Sequence, residues 1–157
     1  MIRAMQASDL EEVMQIWLTA NMEAHDFIDS SYWKSHFEEV RALLPQAEIM
    51  VSENTDTGVL EGFIGIMESY IAGIFVRQEY RSRGIGRQFL DFAKAAKPEL
   101  KLKVYKKNEA AVNFYLREDF LVLQQGQDED TGEEEFTMEW KGRDAFCLLY
   151  TSPSPRD

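Results

Sequence analysis

The chain has 157 residues, 45% of them hydrophobic and 12% aromatic, and a formal charge of -11. That length suits one domain with a packed core, which excludes wholesale disorder. The acidic balance argues against a nucleic-acid binder, and no apolar run approaches the roughly 20 residues of a membrane helix.

The N-terminal MIRAMQASDLEE carries no signal-peptide core, and Ile2–Met5 reads as a short first strand. Ser8 and Glu11 have capping-box spacing, and Leu10, Val13, Met14 and Trp17 then recur on one helical face. A second helix is expected over Ser31–Leu44, stopped by Pro45. Strands follow at Ile49–Glu53 and Val59–Met67 around an Asn54–Gly58 turn. The apolar Ser69–Val76 reads as a strand buried on both faces. A basic loop leads to a helix over Ile85–Ala96, ended by Pro98. Leu100–Tyr105 alternates as a strand with one wet face, and Asn108 caps a helix over Glu109–Arg117. Two strands, Phe120–Gln125 and Glu135–Trp140, close the pattern around an acidic hairpin. The order implies an α/β domain, a mixed sheet with helices against it, over residues 1–140.

Residues 141–157 change character. The Ser/Pro-rich end from Cys147 to Asp157 reads as translated sequencing adapter fused to a truncated frame, or else as a flexible natural tail. With one cysteine no intrachain disulfide forms, which points to a cytoplasmic setting. His25 and His36 are too few to complete a zinc site with it, so no metal is expected.

Chemistry concentrates in Ile71–Leu90, where a strand feeds a basic loop and a Gly-x-Gly opens a helix. Free N–H groups at a helix start suit a pyrophosphate, and Gly84 and Gly86 let backbone approach it closely. Arg81, Arg83 and Arg87 add positive charge where an otherwise acidic protein would repel phosphate. A dinucleotide fingerprint would need a third glycine at Phe89, and a P-loop a Lys-Ser/Thr pair at Arg87-Gln88.

Arg81-Ser82-Arg83-Gly84-Ile85-Gly86 matches the Q/R-x-x-G-x-G/A signature, and Asn108-Glu109-Ala110-Ala111-Val112-Asn113-Phe114-Tyr115 matches N-x-x-A-x-x-F-Y. In these two landmarks, in this order, the chain resembles the GCN5-related N-acetyltransferases, the GNAT family, over Met1–Trp140. It looks like the family's small bacterial members. Asp119 departs from the glycine usual before Phe120.

The resemblance implies a sheet whose central parallel strands splay to admit acetyl-CoA. Ile74, Phe75 and Val76 would offer backbone to pantetheine as an added strand. The loop of Arg81, Ser82, Arg83, Gly84, Ile85, Gly86 and Arg87 would hold the pyrophosphate. Asn108 is a helix cap, a pantetheine contact, or both. Tyr115 would protonate the leaving thiolate, where spacing alone suggests only a core tyrosine. Glu68 and His25 are the candidates for general base. The implied reaction is direct attack of a primary amine on acetyl-CoA in a ternary complex, without a covalent enzyme intermediate. The acceptor is left open among a protein lysine, an N-terminus and a small amine such as a polyamine. A catalytically degenerate acyl-CoA sensor is the alternative from another class.

Overall fold

A computed structural model describes residues 1–142; residues 143–157, with Cys147 and nearly all of the expected tail, lie outside the described residues. Seven strands form one mixed sheet in the order β1 (Ile2–Ala4), β2 (Glu48–Glu53), β3 (Leu60–Met67), β4 (Tyr70–Val76), β5 (Glu99–Tyr105), β7 (Glu134–Lys141) and β6 (Leu121–Gln127). Every neighbouring pair is antiparallel except β4 and β5, which run parallel. β7 reaches Lys141, paired with Glu99, and the Gly142 N–H donates to Pro98 O at 2.7 Å. Strand pairing thus runs to Lys141, and one further backbone hydrogen bond follows at Gly142.

Helices cover both faces. On one, α4 (Ile85–Ala96) and α5 (Glu109–Arg117) pack Phe89, Leu90 and Tyr115 against Ile66, Ile71 and Leu102. On the other, α1 (Leu10–Ala24), α2 (Ser30–Ser35) and α3 (Phe37–Leu43) pack Val13, Met14 and Trp17 against Val51 and Phe63. Phe89 is fully enclosed, and truncating such a ring to alanine costs about 3–5 kcal/mol.

Three local expectations are corrected. The first helix is not capped by Ser8: Ala7–Asp9 forms a single 3-10 turn, and the Gln6 N–H donates to Asp9 Oδ2 at 2.8 Å. Asp9 is also held by Arg3, which Glu53 anchors from 50 residues away in sequence. The single helix over Ser31–Leu44 is two, α2 and α3, broken at His36 where ψ is 0°. β4 is not buried on both faces. Ile71 is enclosed, but Ile74, Phe75 and Val76 are only half-buried because the sheet opens beside them.

Candidate active site

That opening begins with register. β4 pairs with β5 at Tyr70↔Lys101 and Ile71↔Leu102 only. On its other edge Gly65 faces Gly73 while Ile66 faces Ile71, leaving Ala72 as an extra residue. Such a bulge bends its strand. Past it β4 follows β3 alone, and the parallel strands part. A cleft of about 930 Å³ lies along Ile74–Val76 and is closed by the start of α4, the start of α5 and the end of α1.

The start of α4 is built for an anion. Its N-cap is Gly84, at φ 82° and ψ 8°, and no side chain caps the helix. Only glycine adopts that conformation without strain. The first N–H groups of the helix therefore remain unpaired, with partial positive charge, at Gly84, Ile85, Gly86 and Arg87 along the cleft wall. Ser82 is also left-handed, at φ 64°. Gly86 has a second reason to lack a side chain: a Cβ would come within 3.3 Å of the Phe114 ring. Here α4 and α5 pack closely.

Carboxylates share this basic loop. Arg81 Nη2 lies 3.0 Å from Glu23 Oε1, and its Nε donates to Val76 O at 3.2 Å. Arg87 Nε stands 3.9 Å from Glu118 Oε1. The Arg83 guanidinium sits over the Tyr80 ring, 5.5 Å from its centroid.

Asn108 caps α5 as expected, its Oδ1 accepting from the Ala111 N–H at 3.3 Å. Seven residues on, Tyr115 reaches the cleft with its ring packed on Phe114 and Phe120. Burial, and then nearby Tyr70, push its hydroxyl well above the ordinary tyrosine range, so it is a protonated donor. Asp119 takes a φ of 72°, the left-handed turn a glycine would provide, which Asp tolerates better than most residues.

The two candidate bases part company. Glu68 sits in the β3–β4 turn at φ 57°, beside the closed end of the parallel pair, and does not line the cleft. His25 does line it, stacked on Trp33. Burial lowers its pKa to about 4, so the ring is neutral near pH 7. Its Nε2 lies 3.2 Å from Asn108 Nδ2. That amide nitrogen can only donate, so the basic lone pair of His25 is already in use.

Among the sequence-derived cofactor residues, Ile74, Phe75, Val76, Arg81, Ser82, Gly84, Ile85, Gly86, Arg87 and Asn108 all line this one cleft, and Arg83 stands beside it. Glu23 and Lys107 also line it, although no sequence signal marks them. Among the described residues no group of three or more His, Cys, Asp or Glu could hold a metal ion, and no helix is long and apolar enough to cross a membrane.

A splayed parallel strand pair joined to an uncapped, arginine-flanked helix start defines the class of acyl-CoA-dependent acyltransferases. The profile of the acetyltransferase (GNAT) domain matches residues 45–122. Peptidyl-lysine N-acetyltransferase YiaC of Escherichia coli is 34% identical over 142 residues, covering 89% of this chain and 96% of its own. The solution structure of apo-form YjaB from Escherichia coli superposes with a TM-score of 0.79 at 27% identity, over 90% of this chain and 97% of that one. The structure of yncA from Salmonella typhimurium with acetyl-CoA shares the fold, with a TM-score of 0.63 at 18% identity over 90% and 92% of the two chains. The chain belongs to the GNAT family of acetyl-CoA-dependent N-acetyltransferases.

Proposed function

We propose that this protein transfers the acetyl group of acetyl-CoA to the side-chain amine of a protein or peptide lysine, by direct attack in a ternary complex. The observation that carries this reading is the convergence of the open β4 edge, the uncapped α4 and Tyr115 on one cleft. Kinship with the peptidyl-lysine N-acetyltransferase YiaC supports lysine ahead of a polyamine or an N-terminus. A cytoplasmic setting belongs to the same reading.

In it, pantetheine lies along Ile74–Val76 and pairs with free backbone groups, while the pyrophosphate meets the N–H groups and arginines of Arg81–Arg87. The amine nitrogen attacks the thioester carbonyl carbon, and a backbone N–H of the open strand steadies the developing oxyanion. As the C–S bond breaks, the Tyr115 hydroxyl donates its proton to the thiolate. Glu68 is remote and the His25 lone pair is occupied, so the lysine ammonium first loses a proton to water in the cleft. The nitrogen's second proton, shed as the amide forms, returns through water to the Tyr115 phenolate. Incubation with acetyl-CoA and three acceptors (a lysine peptide, spermidine, and a lysine-free peptide with a free N-terminus) tests the assignment. Acetyl appearing fastest on the lysine peptide supports it; preference for either other acceptor replaces it.

A further inference from the structure

His25 was a candidate base from sequence, and its surroundings give it different work. It follows the last turn of α1 and its N–H donates to Asn21 O at 3.0 Å. The ring is held on three sides. Trp33 of α2 stacks on it at 5.3 Å with 29° between planes, Tyr105 of β5 meets it edge-on at 5.0 Å, and Phe27 lies 5.7 Å away. Among the described residues its side-chain hydrogen-bond partner is Asn108, across the cleft wall and 83 residues away in sequence.

The protons can be assigned. Asn108 Oδ1 is committed to the Ala111 N–H, so its NH2 faces His25 and donates. His25 Nε2 must then be the unprotonated nitrogen, and Nδ1 carries the proton. Nδ1 is enclosed and has no hydrogen-bond partner among the described residues. An enclosed unpaired N–H is destabilising, and an apolar ring of the same shape would avoid that cost. The ring's accepting nitrogen is what offsets that cost.

We propose that His25 is a positioning residue: by accepting from Asn108 it fixes the start of α5, and so the seating of Tyr115 two turns on, against the aromatic layer of α1 and α2. The inference rests on the acetyltransfer reading for its kinetic consequence and on geometry alone for its proton assignment. Helix α5 makes few contacts with the α1–α3 side, so this hydrogen bond is a direct tie between the layer holding Trp33 and the helix holding Tyr115. A donor displaced by about 1 Å loses much of its effect, so the loss should fall on kcat and leave acetyl-CoA affinity within about twofold.

The test compares His25→Gln, whose amide can offer an acceptor close to the position of Nε2, with His25→Phe, which keeps the packing and loses the acceptor. The expected result is kcat within about threefold of wild type for His25→Gln and about 10-fold lower for His25→Phe. Asn108→Asp keeps the cap oxygen and loses the donor; it should match His25→Phe, and the double variant should be no worse than either single one. Equal, severe loss in both His25 variants would make His25 the base and overturn the proposal. Full activity in His25→Phe with loss in His25→Gln would reduce His25 to packing, which also overturns it. A long-range proton–nitrogen NMR spectrum reads the ring without turnover. A proton on Nδ1 at pH 7 in the wild type supports the proposal even if no acceptor is acetylated, and a proton on Nε2 overturns it even if one is.

Discussion

Glu23 at the end of α1 holds the guanidinium of Arg81 at 3.0 Å, within the cleft beside the start of α4. The same guanidinium reaches the last carbonyl of β4, Val76 O, so it bridges helix and open strand. A pyrophosphate bound at Arg81, as proposed, would have to share this arginine with a carboxylate or displace it. Glu23→Gln removes the competing charge and leaves the arginine in place. Acetyl-CoA should then bind about two- to fivefold more tightly at low salt, the scale of one half-exposed ion pair. Calorimetric titration of both proteins checks this, and unchanged affinity would mean that Arg81 does not read the phosphate.

Tyr115→Phe keeps a ring that Phe114 and Phe120 enclose and removes only the hydroxyl. Turnover should fall about 10²-fold with acetyl-CoA affinity nearly unchanged. The raised tyrosine pKa adds a pH signature. The phenol stays protonated through and beyond pH 10, so a fall in wild-type kcat below that pH must come from another group. Turnover at the wild-type rate in this variant would return Tyr115 to a packing role.

Stability in acid should report His25. Its pKa falls from 6.5 to about 4 on folding, because burial disfavours the charged ring. The unfolded chain therefore takes up this proton first as pH drops. The contribution is fully present above about pH 6.5 and is lost progressively down to about pH 4, amounting to up to about 3 kcal/mol. Among the described residues no charged side chain is hydrogen-bonded to the ring; Trp33, Tyr105, Phe27 and Asn108 face it. Asp9, held low chiefly by Arg3, loses its contribution only below its ordinary 3.8, outside this window. Urea midpoints at pH 7 and pH 5 should differ clearly in the wild type and much less in His25→Phe. Parallel pH profiles would contradict the assignment.

The β6–β7 hairpin is less bare than its sequence suggests. Lys103, Lys106 and Lys107 lie 3.8, 3.8 and 3.1 Å from Glu135, Glu134 and Glu133. Asp128 accepts from the Tyr105 hydroxyl at 2.5 Å, and Asp130 from the Tyr32 hydroxyl at 3.3 Å. Any steering of a cationic acceptor by this hairpin would therefore rest mainly on Asp128, Glu129 and Asp130. With a lysine peptide, kcat/KM should decline as salt rises, and less steeply once Glu129→Gln and Asp130→Asn are combined. Identical salt slopes would leave the hairpin a solvated turn.

What could be read from sequence was local. Arg81–Gly86 and Asn108–Tyr115 are continuous stretches whose residue types do their own backbone work, through the left-handed Gly84 and the Asn108 cap. The general base was not legible, because its two candidates were judged by residue type while their roles depend on distant partners. His25 meets Asn108 across 83 residues, and Arg81 meets Glu23 across 58. The apolar pattern of β4 suggested burial on both faces for a related reason, although the family resemblance implied the splay at Ile74–Val76. An apolar run looks the same whether a neighbouring strand covers it or has bent away, and here the bulge at Ala72 decides. The break at His36 has no marker such as proline or glycine.

The most direct test of the account is mass spectrometry of a lysine-containing peptide after incubation with acetyl-CoA and the protein, beside the same reaction with Tyr115→Phe. The account predicts one acetyl group on the lysine side-chain nitrogen, with matching release of free CoA, and much slower transfer by the variant. Binding of acetyl-CoA without acetyl appearing on any amine would contradict it and make the cleft an acyl-CoA sensor.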